Sequence, residues 1–171
     1  MNDPVLNAFL EQQLRQGIEL AANSDLLELV PDPTAVGPPS RFIARYTCKG
    51  LVKIQDGAVC QAAEFAVGIW FPSEYLRQVE PLKTLTWLGP TNAWHPNILG
   101  HAICIGRIIP GTELVDLLYQ CYEIITYHNW APHDALNPEA AQWARNNQQR
   151  FPVDRRPLKR RLLDLQIEDA S

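Results

Sequence analysis

Four cysteines, Cys48, Cys60, Cys104 and Cys121, carry the most reactive side chains of this sequence. They are widely spaced and form no C-x-x-C pair, so cysteine alone does not build a zinc site and no metal is expected. The opening segment, MNDPVLNAFLEQQL, has no basic stretch followed by an apolar run. No export signal is read there, and the thiols are expected to be reduced. Cysteine is among the most buried residue types, so packing is the default role of each. A free thiol is also a nucleophile, about a few per cent thiolate at neutral pH for an ordinary pKa of about 8.5. The thioester it forms is stable enough to hold an acyl group and still reactive toward amines. His101 stands three residues before Cys104, the pairing a Cys-His hydrolase would need. No third residue that would orient such a histidine is evident.

Any such chemistry must be positioned by the elements around it. Residues 4–23 place Leu6, Phe9, Leu10, Leu14, Ile18 and Ala21 at three- and four-residue steps behind Pro4, which predicts an amphipathic helix. Residues 31–40, PDPTAVGPPS, read as a loop or extended connector. Phe42, Ala44 and Tyr46 alternate within residues 41–55, and Asp56-Gly57 is a tight-turn pair, so a hairpin is expected. Residues 63–71 alternate Phe65, Val67, Ile69 and Phe71 against Ala66, Gly68 and Trp70. Residues 82–88 place Leu85 and Trp87 on one face. Three strands in meander order imply an antiparallel sheet with one face to cover. Leu114, Leu117, Leu118, Cys121, Ile124 and Ile125 form the buried stripe of a helix over 112–127, which makes Cys121 a core residue. Asn137-Pro138 offers a cap and first-turn proline for a helix to about Gln149, and residues 155–168 read as a short basic helix or a tail. Trp130 and Trp143 are read as packing residues. The fold class is α+β: an antiparallel meander sheet with an N-terminal helix and C-terminal helices.

At 171 residues the chain suits a single domain spanning residues 1–171. Its 46% hydrophobic and 20% charged residues are ordinary globular values. The net charge is −4, and no basic stripe interleaved with aromatics occurs outside the C-terminal tail, so nucleic acid is not the expected principal ligand. The apolar runs fall short of the roughly 20 residues of a membrane span. A cytoplasmic protein without membrane attachment is expected.

One segment goes beyond these generalities. GPTNAWHPNILGHAICIGRIIPGTE joins the third strand to the second helix, with His95-Pro96-Asn97 ahead of Ile103-Cys104-Ile105. It resembles the active-site stretch of ubiquitin-conjugating enzymes. Trp70-Phe71-Pro72-Ser73-Glu74-Tyr75 is similar to the family's Phe-Pro followed by a Tyr. Asp134-Ala135-Leu136-Asn137-Pro138-Glu139-Ala140 resembles its downstream acidic loop and helix start. The Asn-Pro-Glu-Ala-Ala-x-Trp-Ala form is especially like prokaryotic members. The resemblance covers about half the chain tightly and the remainder through element order. It departs from the family in places. The stretch from Asn97 to Cys104 is a residue shorter than the common eukaryotic form, Ile-Gly follows Cys104 in place of Leu-Asp, and Ile-Ile-Pro-Gly replaces the usual Trp-Ser-Pro.

The resemblance implies the ubiquitin-conjugating-enzyme-like fold and a carrier role for Cys104, which family variants that are catalytically dead have lost. Asn97 would donate to the oxyanion formed when an amine attacks the thioester, the alternative being a purely loop-holding role. Asp134 would orient and help deprotonate the incoming lysine, the alternative being an ordinary loop aspartate. His95 and Pro96 would organise the loop. Implied partners are a ubiquitin-like modifier, an activating enzyme, a protein target and a deconjugating protease from the same operon, often in antiphage defence. No cofactor is implied. Two rival readings are a conjugating enzyme for the C-terminus of a nucleotidyltransferase in a cyclic-oligonucleotide defence system, and a non-catalytic binding module. Eukaryotic members offer RING-type ligases a Pro-Phe pair and a Ser-Pro-Ala loop; this chain has Leu76-Arg77 and Ile109-Pro110-Gly111 there.

Overall fold

The computed structural model describes residues 3–131 and 133–161. Helix α1 spans Pro4–Ala22, and the Asp3 carboxylate caps it by accepting from the Val5 and Leu6 N–H groups. Strands β1 (Leu27–Pro31), β2 (Arg41–Lys53), β3 (Val59–Trp70) and β4 (Leu85–Gly89) follow. They form an antiparallel sheet in sequence order. The meander is as expected, with two additions. Leu27–Pro31 is a strand that went unread, and it forms an edge, where Pro31 removes no ladder bond. β3 also begins four residues before the expected start at residue 63, because its pairing with β2 continues past a register shift between Thr47 and Gly50. Gly50 is required there: a Cβ would lie 2.4 Å from Phe65 Cζ.

Helix α2 (Pro81–Thr84) is a single turn before β4, and two short strands, β5 (Ile98–Leu99) and β6 (Ala102–Ile103), form a separate hairpin. Helix α3 (Leu114–Ile125) covers the sheet with the expected stripe, Cys121 included. Phe42, Ala44, Tyr46, Phe65, Val67, Ile69, Leu85 and Trp87 face it in one core. The Tyr46 hydroxyl donates to the Leu118 carbonyl at 2.8 Å, tying sheet to helix through a satisfied buried group.

Leu6, Phe9, Leu10, Leu14 and Ala21 of α1 pack on the core as expected, and the face departs from the expected one at Ile18. Leu10, Gln13, Gly17 and Leu20 are buried, whereas Ile18 is exposed. A polar residue turns inward because α3 lacks a side-chain cap of its own, and the Gln13 amide oxygen accepts from the Leu114 N–H at 2.7 Å. Helix α4 (Pro138–Asn146) begins at the expected Asn137 cap but stops before Gln149. The Asn147 side chain donates to the Trp143 carbonyl at 2.8 Å, competing with the helical ladder. A 3₁₀ turn, Gln148–Arg150, follows.

Residues 155–161 of the expected basic helix or tail form an irregular strap with bends at 156, 158 and 159, and residues 162–168 lie outside the described residues. Side chains anchored elsewhere hold the strap open. Leu158 is buried in the main core. Arg160 donates its backbone N–H to the Asn23 carbonyl and its guanidinium to the Ala22 carbonyl, supplying the cation that the last turn of α1 lacks. Buried Asp154 accepts from the Lys49 N–H at 3.0 Å and from the Arg156 guanidinium at 3.0 and 2.7 Å.

The Arg156 guanidinium, aided by the Lys49 N–H, holds the Asp154 carboxyl down to about 2 against the opposing effect of burial. A depressed native pKa contributes stability above the unfolded value, and that stability disappears as pH falls through the native one. Wild type should therefore exceed Asp154→Asn by about 2 kcal/mol at neutral pH. Denaturant melts should show the gap narrowing below about pH 4 and closing near pH 2. A gap independent of pH would remove the ion pair from the explanation.

Candidate active site

The segment after β4 is held against the sheet before it reaches its polar residues. The Lys53 N–H donates to the Asn92 carbonyl at 2.9 Å, and the Trp94 N–H donates to the Leu51 carbonyl at 2.8 Å. His95 is then driven inside and packs its ring on Tyr127 at 4.3 Å between centroids. Its Nδ1 accepts the Asn97 backbone N–H at 2.9 Å, which places the ring proton on Nε2, 3.2 Å from the Asn129 carbonyl. Burial lowers the His95 pKa to about 3. The ring is therefore neutral at neutral pH and serves as a bracket, not a proton carrier.

Pro96 and Asn97 extend the bracket. The Pro96 carbonyl accepts the Asn137 N–H at 3.0 Å, joining the loop to the start of α4. Asn97 is only 3% exposed. Its side-chain oxygen accepts the Ala131 N–H at 2.9 Å, and its backbone carbonyl accepts the Cys104 N–H at 2.9 Å. With Oδ1 committed, the Nδ2 hydrogens are the free end of the amide, and they have no hydrogen-bond partner among the described residues. The amide orientation follows from that network.

Cys104 follows the β5–β6 hairpin, which turns at Gly100 with φ of +59°. Ile98, Ile103 and Ile105 are buried and clamp the hairpin to the main core, leaving Cys104 half-buried between two anchored neighbours. The other thiols differ. Cys48 and Cys121 are buried, and burial pushes both thiols up to about 12. Cys60 is half-buried on β3, where it pairs with Val52.

The structure thus joins His95, Asn97 and Cys104 through direct hydrogen bonds, and Pro96, between the first two in the chain, ties the loop to Asn137. It does not join the other two candidates to them. His101 is exposed, and its Nδ1 lies 3.2 Å from the Trp87 carbonyl. Asp134 is exposed in the turn before α4 and makes no hydrogen bond or ion pair among the described residues. Its loop is nevertheless held at both ends, because Ala131 is bonded to Asn97 and Asn137 to Pro96. Trp130 and Trp143 pack against Phe151, as packing residues should.

Tyr127, Asn129 and Ala131 were not legible as part of this site. Tyr127 adopts φ of +61°, and its hydroxyl donates to the Trp94 carbonyl. Asn129 and Ala131 act through main-chain groups, which any residue except proline at the donor would supply. Those two positions therefore had no side-chain signature to read, and Tyr127 had only its aromatic type.

No family model matches the sequence, and no curated protein matches it. Solved structures do. A ubiquitin conjugating enzyme E2 domain from Toxoplasma gondii aligns with a TM-score of 0.53 and 16% identity, over 83% of this chain and 90% of that one. A Trypanosoma cruzi protein assigned as a ubiquitin conjugating enzyme aligns with a TM-score of 0.59 and 14% identity, over 90% of this chain and 96% of that one. Among the described residues no helix is long and apolar enough to cross a membrane. The N-terminal helix, four-stranded meander and following helices, aligned over most of the chain, give this protein the ubiquitin-conjugating-enzyme fold.

Proposed function

We propose that this chain is a conjugating enzyme for a ubiquitin-like protein, which it carries as a thioester on Cys104 and passes to an amine. One observation carries the reading: in this fold, the half-buried Cys104 is hydrogen-bonded through its backbone to Asn97, whose amide has a free donor end. In loading, the Cys104 thiolate attacks the carbonyl carbon of the activating enzyme's thioester, a new C–S bond forms, and the activating enzyme's thiolate leaves. This exchange swaps one thiolate for another and needs no strong base, which agrees with the engagement of His101 elsewhere. In discharge, a lysine amine attacks the same carbon. Negative charge develops on the carbonyl oxygen, where the Asn97 Nδ2 donates. The C–S bond then breaks, Cys104 departs as thiolate, and the nitrogen loses its proton. In this reading Asp134, exposed in the turn before α4, orients the lysine ammonium and favours its free-amine form.

The partners in this reading are an activating enzyme, a modifier and a protein target, with a deconjugating protease encoded nearby in a prokaryotic defence operon. Incubating the protein with the neighbouring genes' activating enzyme and modifier plus ATP should give an adduct on a non-reducing gel that thiol reductant removes. Failure to form that adduct with a competent activating enzyme would leave a binding module.

The ligase-facing loop bears on how discharge is controlled. Arg77 is exposed and paired with Glu74 at 3.3 Å and Asp3 at 3.8 Å, and Ile109 is exposed beside Pro110 and Gly111. An aromatic anchor can contribute about 2 kcal/mol or more at such an interface, and a charged guanidinium does not replace it without desolvation. The loaded enzyme should therefore discharge at the same rate with and without a generic RING domain. Acceleration that Arg77→Glu removes would show that the loop still receives ligases.

A further inference from the structure

Arg155, Arg156, Lys159, Arg160 and Arg161 crowd into one short stretch of a chain whose net charge is −4. Two of them are paired within the protein. Arg156 closes on buried Asp154 at 2.7 Å, and Arg160 reaches the Ala22 carbonyl and the Asp25 carboxylate. Arg155, Lys159 and Arg161 remain exposed and make no hydrogen bond or ion pair among the described residues. An exposed basic run is ordinarily just a solvated face. Here, however, all three line one cleft of about 280 Å³.

The opposite wall comes from α3 and the turn after it. Tyr119 is half-buried there, and the His128 ring stacks on Tyr122 at 6.1 Å between centroids. Glu123 and Asp154 are the acids on the lining, and Arg156 neutralises Asp154. The three cations therefore face one uncompensated carboxylate. Their backbone positions are fixed, because Asp154, Leu158 and Arg160 pin the strap between them. Such held, mutually repelling charge favours a multiply charged anion, and the fixed backbone lowers the ordering cost of binding it. The guanidinium fork suits phosphate oxygens, lysine adds a mobile point charge, and aromatic faces offer a flat surface to a base.

We infer that this cleft binds a small phosphate ester of nucleotide class, with Arg155, Lys159 and Arg161 on its phosphates and its base against Tyr119 and His128. The site uses neither Cys104 nor its loop, so it stands apart from the proposed conjugation chemistry. The test is calorimetric titration of the full chain with ATP, adenosine, inorganic triphosphate and polyglutamate at moderate salt. ATP should saturate one site at least tenfold more tightly than any of the other three. Arg155→Glu combined with Lys159→Glu should weaken ATP binding at least tenfold, with unchanged melting. Arg15→Glu, on the exposed face of α1, and Cys104→Ser should both bind ATP as wild type does. The proposal is overturned if ATP does not saturate below millimolar concentration, or if Arg15→Glu weakens it as much. It is equally overturned if triphosphate matches ATP, leaving a bare phosphate site, or if polyglutamate does, marking a docking patch for an acidic protein.

Discussion

Cys104→Ala should abolish the reductant-labile adduct completely, while Cys48→Ala, Cys60→Ala and Cys121→Ala each retain it. The contrast rests on access and thiol character together. Cys48 and Cys121 are sealed in the main core with their thiols pushed up to about 12, so neither can meet a second protein's thioester. Cys60 is accessible in part but sits within the β2–β3 ladder and packs against the main core. Cys104 combines partial exposure with a backbone fixed by Asn97 and by two buried isoleucines. Preorganisation of this kind matters because misplacing a nucleophile by about 1 Å can cost on the order of 100-fold in rate. Truncating either buried cysteine leaves a small void and a stability loss of about 1 kcal/mol, so adduct yields must be normalised to folded protein. An adduct persisting in Cys104→Ala would place the carrier on another residue.

Asn97→Ala should load at a normal rate and discharge to lysine roughly 100-fold more slowly, a loss of about 3 kcal/mol of transition-state stabilisation. The structure complicates the interpretation of that variant usefully. The Asn97 side chain also accepts the Ala131 N–H, so alanine orphans a main-chain donor and loosens the loop as well. Asn97→Asp separates the two roles. It keeps an acceptor for Ala131 but has no side-chain donor for the oxyanion. Slow discharge in Asn97→Asp with restored melting assigns the donor role; recovery of rate assigns a structural one. Asp134→Asn should slow discharge less, and raising the pH should relieve the defect because more of the attacking amine is then unprotonated. A defect that pH does not touch would make Asp134 a loop residue only.

The amino-acid sequence by itself determined the parts of this protein that depend on near neighbours along the chain. The alternation of Phe65, Val67 and Ile69, the helical stripe from Leu114 to Ile125 and the Asn137-Pro138 helix start are local patterns, and each forms the element it specifies. The His95-Pro96-Asn97 and Cys104 stretch was legible for a related reason, since its residues are close in sequence and their order resembles one family's. Periodicity weakened where long-range contacts took over. Gln13 displaces Ile18 from the buried face of α1 because the Leu114 N–H needs an acceptor about a hundred residues away. The strap from Asp154 to Arg160 forms no helix because its polar groups answer to Lys49, Tyr122 and Asn23. Only the tertiary structure decided that Asn129 and Ala131 hold the candidate site, since they do so through main-chain groups that carry no side-chain identity. It likewise divided the basic stretch into cations pinned inward and cations left facing a cleft, because charge pairing depends on which elements meet in space and not on composition.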